Sequence, residues 1–412
     1  MSLPPVPPPP QSEAEDDLVP LGGKTQEEED GNIFSHYYDQ LSHQQNMLQD
    51  AIRTTTYQQA IFQNSTDFQG AKVVDVGTGS GILSFFSAQA GASKVYGIEM
   101  SRIALAAKKL MDANGMKDKI EIVKGKVEEV ELPGCPKDEK CIDILASEPL
   151  GFLLVHERML ESYIVARDRW LKPGGKMFPT CSTIFTAPFT DKMLYEEQRS
   201  KADFWDYNDF YGLDLRCLKS AALEEHFSMP VVGYFNPDCL LSNTTSDKFF
   251  DFRTCSLKEL QTFEIDLNFI VEKTEVCHGI ACWFDCDFIG GMGKTVLATG
   301  PDKPGTHWYQ CRLLFQKPLA VNEGQLITGK LKFQANLKFS YDVDVCCRVG
   351  CGDGSGGEGS CGGGVETRNM VYLQDQHYHY LTNQSSAVDA QGYGHAVGND
   401  VQVTKENGYN IG

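Results

Sequence analysis

The amino-acid sequence predicts an α/β protein with two domains, a doubly wound, Rossmann-like parallel sheet followed by an antiparallel β-barrel. Residues 71–180 alternate short apolar strands with helices, the pattern of a parallel sheet covered on both faces. Beyond residue 181, β-like runs such as "QTFEIDLNFIV" and "HWYQCRLLF" dominate, which favours an antiparallel barrel or sandwich. The chain of 412 residues is long enough for two or three domains.

The elements of the first domain follow one another in a regular order. Apolar residues at helical spacing predict helical structure between residues 33 and 63. Short apolar runs then predict strands at 72–76, 94–99, 120–124, 142–147 and 176–179. The segments between these strands predict helices at 81–90, 101–113 and 156–170.

Changes in composition divide the rest of the chain. The N-terminal residues combine a proline run with two acidic clusters, a composition that is typical of disordered segments. The sequence of residues 190–228 predicts a helical insertion in the second domain. A glycine-rich stretch follows that domain. We therefore predict a disordered tail, an α/β domain with N-terminal helices, a β domain and a flexible tail, at residues 1–30, 31–180, 181–348 and 349–412.

The net charge of −19 argues against direct binding to nucleic acid or anionic membranes, because both need clustered Lys and Arg. This charge favours cationic partners, although many acidic proteins are simply soluble. We find no apolar run long enough to span a bilayer and no signal-peptide pattern, and we expect an intracellular protein. Its 14 cysteines are then expected to be mostly reduced thiols. We predict no metal site, since no zinc spacing fits the group Cys346, Cys347, Cys351 and Cys361.

A glycine-rich loop follows the first predicted strand. The stretch "VVDVGTGSGILS" places Gly77, Gly79 and Gly81 between a strand and a helix. Glycines here let the backbone approach a ligand closely, and the last one opens the helix. The spacing is not that of the dinucleotide-binding motif, which weakens the case for a pyrophosphate. Alone, the loop is weak evidence for a nucleotide-like ligand.

Two acidic residues strengthen the case for a nucleoside. Glu99 ends the second strand, where a carboxylate can accept both hydroxyls of a ribose; the alternative is a solvated carboxylate. Glu128, in "GKVEEVELP", is placed to accept a hydrogen bond from an adenine amino group. The loop spacing then suits a nucleoside whose tail is not a pyrophosphate, such as S-adenosylmethionine.

Two glutamates frame the apolar stretch "SEPLGFLLVHERMLES". Glu148 ends the fourth strand, at the edge where ligands bind in such sheets, and Glu157 begins the following helix. Two close carboxylates raise each other's pKa. A guanidinium resolves this conflict, because it is always charged and its forked donors match carboxylates. We predict an arginine pocket beside a methyl donor, in which the two carboxylates orient the attacking nitrogen.

Several motifs occur together in the order that is found in one enzyme family. Besides the glycine loop, "GKVEEVELP" and the double-glutamate stretch, they are "LSHQQNMLQDAIRTTTYQQAI", "LKPGGKMFPT", "RSKADFW" and "THWYQ". With these motifs, the region from about 31 to 348 resembles the protein arginine methyltransferases of the asymmetric-dimethylating (type I) class. It is most similar to their coactivator-associated, histone-methylating members. The resemblance implies an S-adenosylmethionine-dependent methyltransferase domain and a β-barrel whose helical arm, at about 190–228, mediates dimerisation.

The resemblance also implies roles for individual residues. The implied catalytic residues are Glu148, Glu157, and the orienting or proton-relay pair His307 and Asp50. The implied cofactor-binding residues, with Arg53 on the cofactor carboxylate, are Gln45, Arg53, Asp75, Gly77, Gly79, Gly81, Glu99, Glu128 and Tyr38. The implied substrate- or product-determining residues are Met47, Leu150, Phe152 and Trp308.

The partners implied by the resemblance are arginine-containing proteins, such as histone tails and Gly/Arg- or Pro-rich segments, and a second copy of the chain. It further implies residence in the nucleus and the cytoplasm. Two other hypotheses are a catalytically weak, cofactor-binding scaffold and a small-molecule methyltransferase. The glutamate pair argues against the scaffold, and the long β-rich second half argues against the small-molecule enzyme.

Four positions depart from the family pattern. The family usually has Tyr and Phe where this chain has Phe34 and Ser35, and Met and Tyr where it has Leu150 and Phe152. None of these changes removes a charged catalytic group. We therefore expect them to affect cofactor affinity, rate or product pattern, and not the class of reaction.

Overall fold

The structure is a computed structural model, and it describes residues 37–136, 139–350 and 365–379. All of these residues belong to one unit of the chain. The predictions for the tail at 1–30, and those for Phe34, Ser35, Cys351 and Cys361, fall outside the described residues.

The first domain is built on a five-stranded parallel sheet of order β3-β2-β1-β4-β5. Its strands are β1 Lys72–Val76, β2 Lys94–Glu99, β3 Ile120–Lys124, β4 Ile142–Ala146 and β5 Leu171–Phe178. The strands β1, β2 and β4 are almost entirely buried, as expected when helices cover both faces of a sheet. The predicted doubly wound sheet is confirmed. Because the strand order reverses at β1, the carboxyl ends of β1 and β4 flank the crevice where such sheets bind ligands.

Six helices precede or cover this sheet in the described part of the chain. They are α1 Leu41–Gln49, α2 Ala51–Gln63, α3 Ser65–Phe68, α4 Ile82–Gln89, α5 Ala104–Ala113 and α6 Met159–Trp170. The first two are separated at Asp50, whose backbone is extended. Asp50 Oδ1 accepts a hydrogen bond from the backbone N–H of Arg53 at 2.9 Å, so that it caps the start of α2. This break places Asp50 at a bend close to the crevice.

The second domain consists of two sheets of mainly antiparallel strands, where we predicted a barrel. Its strands are β6 Cys181–Phe189, β7 Val231–Gly233, β8 Ser246–Asp251, β9 Thr262–Ile270, β10 Glu275–Ile289, β11 Lys294–Ala298, β12 Gln310–Val321, β13 Leu326–Ala335, β14 Tyr341–Gly350, β15 Glu366–Tyr372 and β16 His377–Tyr378. One sheet has the order β16-β7-β12-β10-β6-β8, with β11 beside β10, and the other has the order β15-β14-β13-β9. Burial alternates along β9, as in a strand with one face on a core.

The last two strands correct the prediction of a flexible tail over residues 349–412. Strand β15 pairs antiparallel with β14, and β16 pairs parallel with β7. Thr367 and Val371 point into the core, whereas their neighbours in β15 are exposed or half-buried. The polar composition of this segment did not indicate a strand, because β15 buries only a few of its side chains. The remainder of the predicted tail, at 351–364 and 380–412, lies outside the described residues.

The predicted helical insertion lies between β6 and β7. It contains α7 Lys192–Lys201 and α8 Lys219–Phe227. Its large exposed apolar side chains are Met193, Phe204, Tyr207, Phe210, Tyr211, Leu213 and Leu218. Exposed apolar surface of this extent is typical of an interface with another protein. We call residues 190–228 the arm.

Aromatic contacts join the two domains. The ring of Tyr57 in α2 lies 4.8 Å from that of Phe288 in β10, and the ring of Tyr163 in α6 lies 6.0 Å from that of Phe252. These four side chains belong to one core that contains residues of both domains. The shared core holds β4 and α6 in a set position relative to the antiparallel strands.

Two cysteines differ from the expectation of reduced thiols. Cys135 and Cys141 form a disulfide with a Cα–Cα distance of 5.9 Å, within the range that a disulfide bridges. In the described ranges, the helices are all too short or too polar to cross a membrane.

Candidate active site

The glycine loop follows β1 at the crevice. Gly77, Gly79 and Gly81 all have positive φ angles, of 66°, 56° and 93°. A Cβ atom at Gly77 would collide with the side chain of Met159, and one at Gly79 would press on Gln44. The backbone conformation therefore favours glycine at all three positions, and an added Cβ at Gly77 or Gly79 would also displace the end of a neighbouring side chain.

Glu99, at the end of β2, braces this loop. Its carboxylate accepts hydrogen bonds from the backbone N–H groups of Gly79 and Ser101, at 2.9 and 2.8 Å. Each oxygen uses one lone pair in these bonds, so each keeps further capacity to accept a hydrogen bond. The predicted ribose-binding residue thus lies directly beside the glycine loop.

Asp75 is buried beneath the loop. Its Oδ2 accepts hydrogen bonds from the hydroxyls of Thr78 and Ser84, at 2.7 and 2.9 Å. Its Oδ1 is buried and has no hydrogen-bond partner among the described residues. Burial raises the pKa of Asp75 to about 7, against the lowering effect of the two hydroxyl hydrogen bonds. Such an unpaired acceptor under a glycine loop suits a site that a polar ligand or water completes.

Gln44, the neighbour of the predicted Gln45, contacts the glycine loop. Gln44 is buried, and its Oε1 accepts a hydrogen bond from the backbone N–H of Ser80 at 3.0 Å. Its Nε2 donates to the backbone carbonyl of Tyr38 at 3.2 Å. Gln45 is exposed. The packing of α1, which the motif alone does not reveal, turns Gln44 toward the loop, and the cofactor-binding role of Gln45 stays a prediction.

The guanidinium of Arg53 lies against Glu148. Both Nε and Nη2 of Arg53 donate to Glu148 Oε2, at 3.1 and 3.0 Å, and the two side chains are 7% and 10% exposed. The other oxygen of Glu148 accepts a hydrogen bond from the backbone N–H of Leu150 at 3.0 Å. Arg53 was predicted to bind the cofactor carboxylate. In this structure the Arg53 guanidinium binds Glu148 instead, through two N–H donors, which shows that Glu148 can accept a guanidinium in this way.

Glu157 is the second carboxylate of the site. It accepts a hydrogen bond from the hydroxyl of Tyr38, whose oxygen lies 2.8 Å from Oε2 and 3.1 Å from Oε1. Burial raises the pKa of Glu157 to about 7; the Tyr38 hydrogen bond opposes this rise and the charge of Glu148 adds to it. Burial, and then the charge of Glu157, hold the pKa of Tyr38 well above its usual range, so this hydroxyl keeps its proton. Tyr38, predicted as a cofactor residue, directly contacts Glu157, one of the two glutamates predicted to be catalytic.

Asp50 and His307 form the predicted pair. The His307 ring Nδ1 lies 2.7 Å from Asp50 Oδ2, and the His307 backbone N–H donates to the same oxygen at 2.9 Å. Burial favours the neutral form of Asp50, but hydrogen bonds from His307 and from the Arg53 backbone outweigh it and lower the pKa of this carboxyl. Asp50 therefore stays ionised and fixes the orientation of the imidazole.

The four residues predicted to determine the substrate or product differ in their contacts. Leu150 and Phe152 are buried in the loop between the two glutamates. The indole N–H of Trp308 donates to the carbonyl of Leu150 at 2.8 Å, which fixes this loop to the segment that carries His307. The carbonyl of Met47 accepts a hydrogen bond from Arg53 Nη1 at 3.4 Å.

Glu128 stands apart from the hydrogen-bond network of the loop. Its side chain is exposed and its Oε1 accepts a hydrogen bond from the hydroxyl of Ser162 in α6 at 2.6 Å. This contact ties the stretch after β3 to the helix that follows the double-glutamate loop. The adenine-binding role of Glu128 stays a prediction.

The double-glutamate loop has a backbone that the sequence did not predict. Four non-glycine residues have positive φ angles, and they are Leu153, Leu154, Glu157 and Arg158. None is a residue type that favours this conformation, so the contacts around the loop must impose it. Such strain is found at functional sites more often than elsewhere.

The two domains match known families separately. Residues 53–147, which carry the glycine loop, match the family described as ribosomal protein L11 methyltransferase (PrmA). Residues 180–351 match the family described as the arginine methyltransferase oligomerization subdomain. The second match covers the arm and most of the antiparallel strands.

Similar solved structures contain both domains. Protein arginine methyltransferase 10 of Arabidopsis thaliana is similar with a TM-score of 0.72 and 30% identity, over 82% of this chain and 99% of that chain. This chain belongs to the protein arginine methyltransferase family. A second structure of the family, the Trypanosoma brucei PRMT1 enzyme–prozyme heterotetrameric complex with AdoHcy, is similar with a TM-score of 0.69 and 29% identity, with the same coverage. The predicted family and fold class are confirmed.

Two relatives with higher identity are named as histone-arginine methyltransferases. A probable histone-arginine methyltransferase CARM1 of Oryza sativa subsp. indica is 47% identical over 353 residues. The histone-arginine methyltransferase CARMER of Anopheles gambiae is 41% identical over 354 residues. The matches cover 85% and 86% of this chain. They span only 65% and 54% of the length of these two relatives.

Proposed function

We propose that this protein transfers methyl groups from S-adenosylmethionine to guanidino nitrogens of arginine in other proteins, forming mono- and asymmetric dimethylarginine. The observation that carries this proposal is the pair Glu148 and Glu157 at the carboxyl end of β4. Glu148 accepts two hydrogen bonds from the guanidinium of Arg53, and Glu157 is a half-buried carboxylate whose pKa is raised by desolvation and by the charge of Glu148. Family membership and the similarity to the histone-arginine methyltransferases of rice and mosquito support histones as one substrate class.

The residues present fit S-adenosylmethionine. The glycine loop lets a ligand approach the backbone, Glu99 keeps accepting capacity beside it, and Asp75 has a buried oxygen without a partner among the described residues. Gly77, Gly79, Gln44 and Glu99 would hold the nucleoside part, and Arg53 would pair with the carboxylate. When bound, the cofactor supplies a methyl group on a sulfonium. The similarity to the trypanosome complex with AdoHcy supports the same assignment.

The side chains of this site would bind the substrate guanidinium and accept its proton. Glu148 and Glu157 would grip the substrate guanidinium and draw its positive charge away from the attacking nitrogen. With the methyl donor bound, that nitrogen would accept the methyl group and would then have to lose a proton. Glu157, with a pKa of about 7, is well matched to receiving this proton near neutral pH. The Asp50–His307 pair, whose imidazole is partly exposed, is a second proton acceptor.

A second copy of the chain is part of this proposal. The exposed aromatic and aliphatic side chains of the arm need a partner surface, and the arm lies within the segment that matches the oligomerization subdomain. We assign the arm to a homodimer. Substrates with Gly/Arg- or Pro-rich segments, and residence in the nucleus and the cytoplasm, belong to the same proposal; imaging of a fluorescently tagged full chain tests the latter.

The deciding experiment is a methylation assay with the purified chain. Radiolabelled S-adenosylmethionine is supplied with a histone tail peptide or a Gly/Arg-rich peptide, and the product is identified by mass spectrometry. We expect asymmetric dimethylarginine. Tight cofactor binding without product on any arginine peptide would refute methyl transfer and favour the cofactor-binding scaffold. Symmetric dimethylarginine would refute the type I assignment.

A further inference from the structure

Glu157 and Arg158 both adopt left-handed backbone conformations, with φ angles of 74° and 56°. A chain with side chains at both positions relaxes out of this conformation unless its surroundings hold it. Helix α6 begins immediately afterwards, at Met159. The position of the Glu157 carboxylate therefore depends on anchors outside the local sequence.

Arg158 is the stronger of two such anchors. Its side chain is fully buried, and its guanidinium forms a bidentate pair with Glu161, through Nε at 2.6 Å and Nη2 at 2.9 Å. Its Nη1 donates to the backbone carbonyl of Asn336 at 2.7 Å. Gln261 Nε2 donates to Glu161 Oε2, the oxygen that also accepts from Arg158 Nη2, at 2.7 Å. One planar guanidinium thus joins the start of α6 to the antiparallel domain.

The second anchor lies on the other side of Glu157. The ring Nδ1 of His156 lies 2.9 Å from the hydroxyl of Ser340. Asn336 and Ser340 belong to the same turn between β13 and β14. The side-chain oxygen of Asn336 accepts hydrogen bonds from the backbone N–H groups of Lys338 and Ser340, at 3.0 and 3.1 Å, so the turn is itself well braced. We call residues 336–340 the supporting turn.

We propose that Arg158 is a positioning residue for methyl transfer, which sets the place of the Glu157 carboxylate by tying its backbone to the supporting turn of the antiparallel domain. This inference rests on the proposed function. It gives the second domain a role in positioning a catalytic residue, in addition to its role in oligomerisation. The competing explanation is that Arg158 only stabilises the fold through its buried ion pair with Glu161.

The first test is Arg158→Lys, with Arg167→Lys as its matched control. Lysine keeps the charge beside Glu161, but a single ammonium does not reproduce the planar fork that also reaches Asn336. Arg167 lies on the same helix and likewise donates to carbonyls of the antiparallel domain, those of Phe252 and Cys255 at 2.8 Å, but it is far from Glu157 in the chain. The control variant therefore loses comparable hydrogen bonds to the antiparallel domain without displacing Glu157.

We expect Arg158→Lys to lower kcat for an arginine peptide by about 10- to 100-fold, the cost of a small misplacement of a catalytic group. The dissociation constant for S-adenosylmethionine should stay within about 2-fold, since the glycine loop is untouched. The groups that face Glu157 are Tyr38 and Glu148. Displacement of Glu157 removes both the burial that raises its pKa and the Tyr38 hydrogen bond that lowers it, and burial is the larger effect. The acid limb of the pH–rate profile should therefore shift to lower pH. Arg167→Lys should keep both kcat and the profile.

A double variant separates loss of positioning from loss of stability. Arg158→Met with Glu161→Met replaces the buried pair by apolar side chains, a change that folds often tolerate. A folded double variant with the same loss of kcat supports positioning. Full activity of either variant would overturn the proposal, as would equal losses in Arg158→Lys and Arg167→Lys that follow their melting temperatures.

A structural readout separates this inference from the proposed function. In a crystal structure of Arg158→Lys, we expect the Glu157 carboxylate to leave the Tyr38 hydroxyl. If the wild-type chain methylates no arginine peptide but the carboxylate moves as expected, the proposed function fails and the positioning role stands. If Glu157 stays in place, the positioning role fails whatever the activity.

Discussion

The hydroxyl of Tyr38 donates a hydrogen bond to the carboxylate of Glu157, with oxygen–oxygen distances of 2.8 and 3.1 Å, although the two residues lie 119 positions apart in the chain. This contact joins the N-terminal segment to the double-glutamate loop. It also favours the ionised form of a carboxylate that burial makes easier to protonate. The protonation of Glu157 therefore depends on whether the N-terminal segment is in place.

Removing this hydroxyl should alter the pH dependence of methylation. The Tyr38 hydrogen bond lowers the pKa of Glu157, so Tyr38→Phe should raise this pKa further above about 7. We expect kcat/KM to rise with pH through about 7 in the wild type and at higher pH in the variant. The loss at pH 7 should be about 10-fold and should shrink at pH 9, in keeping with the size of a hydrogen bond to a charged group. Tyr37→Phe, which keeps the ring stacked on His43, is the control. An unchanged profile for Tyr38→Phe would contradict this assignment.

Glu157→Gln should abolish the activity without disturbing the cofactor. The amide is nearly isosteric, but it carries no negative charge to hold a guanidinium and takes no proton. We expect transfer of radiolabelled methyl groups to fall by about 100-fold or more. The dissociation constant for S-adenosylmethionine, measured by calorimetry, should change little. Glu323→Gln, an exposed position between β12 and β13, should behave like the wild type. Equal turnover by Glu157→Gln would rule out the double-glutamate clamp.

Gly79→Ala should weaken cofactor binding, and Gly115→Ala provides a matched comparison. Both glycines have positive φ angles, of 56° and 64°, so each alanine costs about 1 to 2 kcal/mol of backbone strain. Only at Gly79 does the added Cβ meet a neighbour, the Oε1 of Gln44. We expect both variants to melt at a lower temperature, but only Gly79→Ala to lose about 10-fold or more in affinity for S-adenosylmethionine. Equal affinities in the two variants would mean that the loop does not line the cofactor site.

Asp50→Asn should reduce stability in a pH-dependent manner. Hydrogen bonds from His307 and the Arg53 backbone outweigh the effect of burial, so the pKa of Asp50 is lower in the folded protein than its usual value near 3.8. The carboxylate therefore stabilises the fold at pH values above that usual value, and this contribution is lost as the pH falls through the folded pKa. We expect the free energy of unfolding at pH 7 to be about 1 to 3 kcal/mol lower in the variant. Urea denaturation at pH 7 and at lower pH checks this; a difference that grows on acidification would contradict it.

A charged residue in the arm should dissociate the proposed dimer. Tyr211 is 97% exposed and lies among the apolar side chains of the arm. We expect Tyr211→Glu to lower the sedimenting mass from dimer to monomer, because a buried unpaired carboxylate opposes association. Met292→Glu, at a position that is 64% exposed outside the arm, should leave the mass unchanged. A wild-type chain that sediments as a monomer at all concentrations would refute the homodimer.

The parallel sheet could be predicted closely from sequence because its signals are local. The strands β1, β2 and β3 begin and end at the predicted residues, since each is a short apolar run bounded by turn residues. Strand β5 was the exception, and it begins five residues before the predicted start. Its first residues include a proline and two glycines, which local propensity assigns to a turn.

The sequence by itself determined the order of the domains, the glycine loop and the identity of the two clamp glutamates, because these depend on residue types at fixed spacing. Only the tertiary structure decided which glutamine of α1 faces that loop, since the packing of the helix sets its inward face. Likewise, only long-range contacts hold Glu157 in a left-handed conformation, between Tyr38 on one side and the supporting turn on the other. A carboxylate whose place and charge depend on distant segments leaves no local pattern in its own stretch of chain.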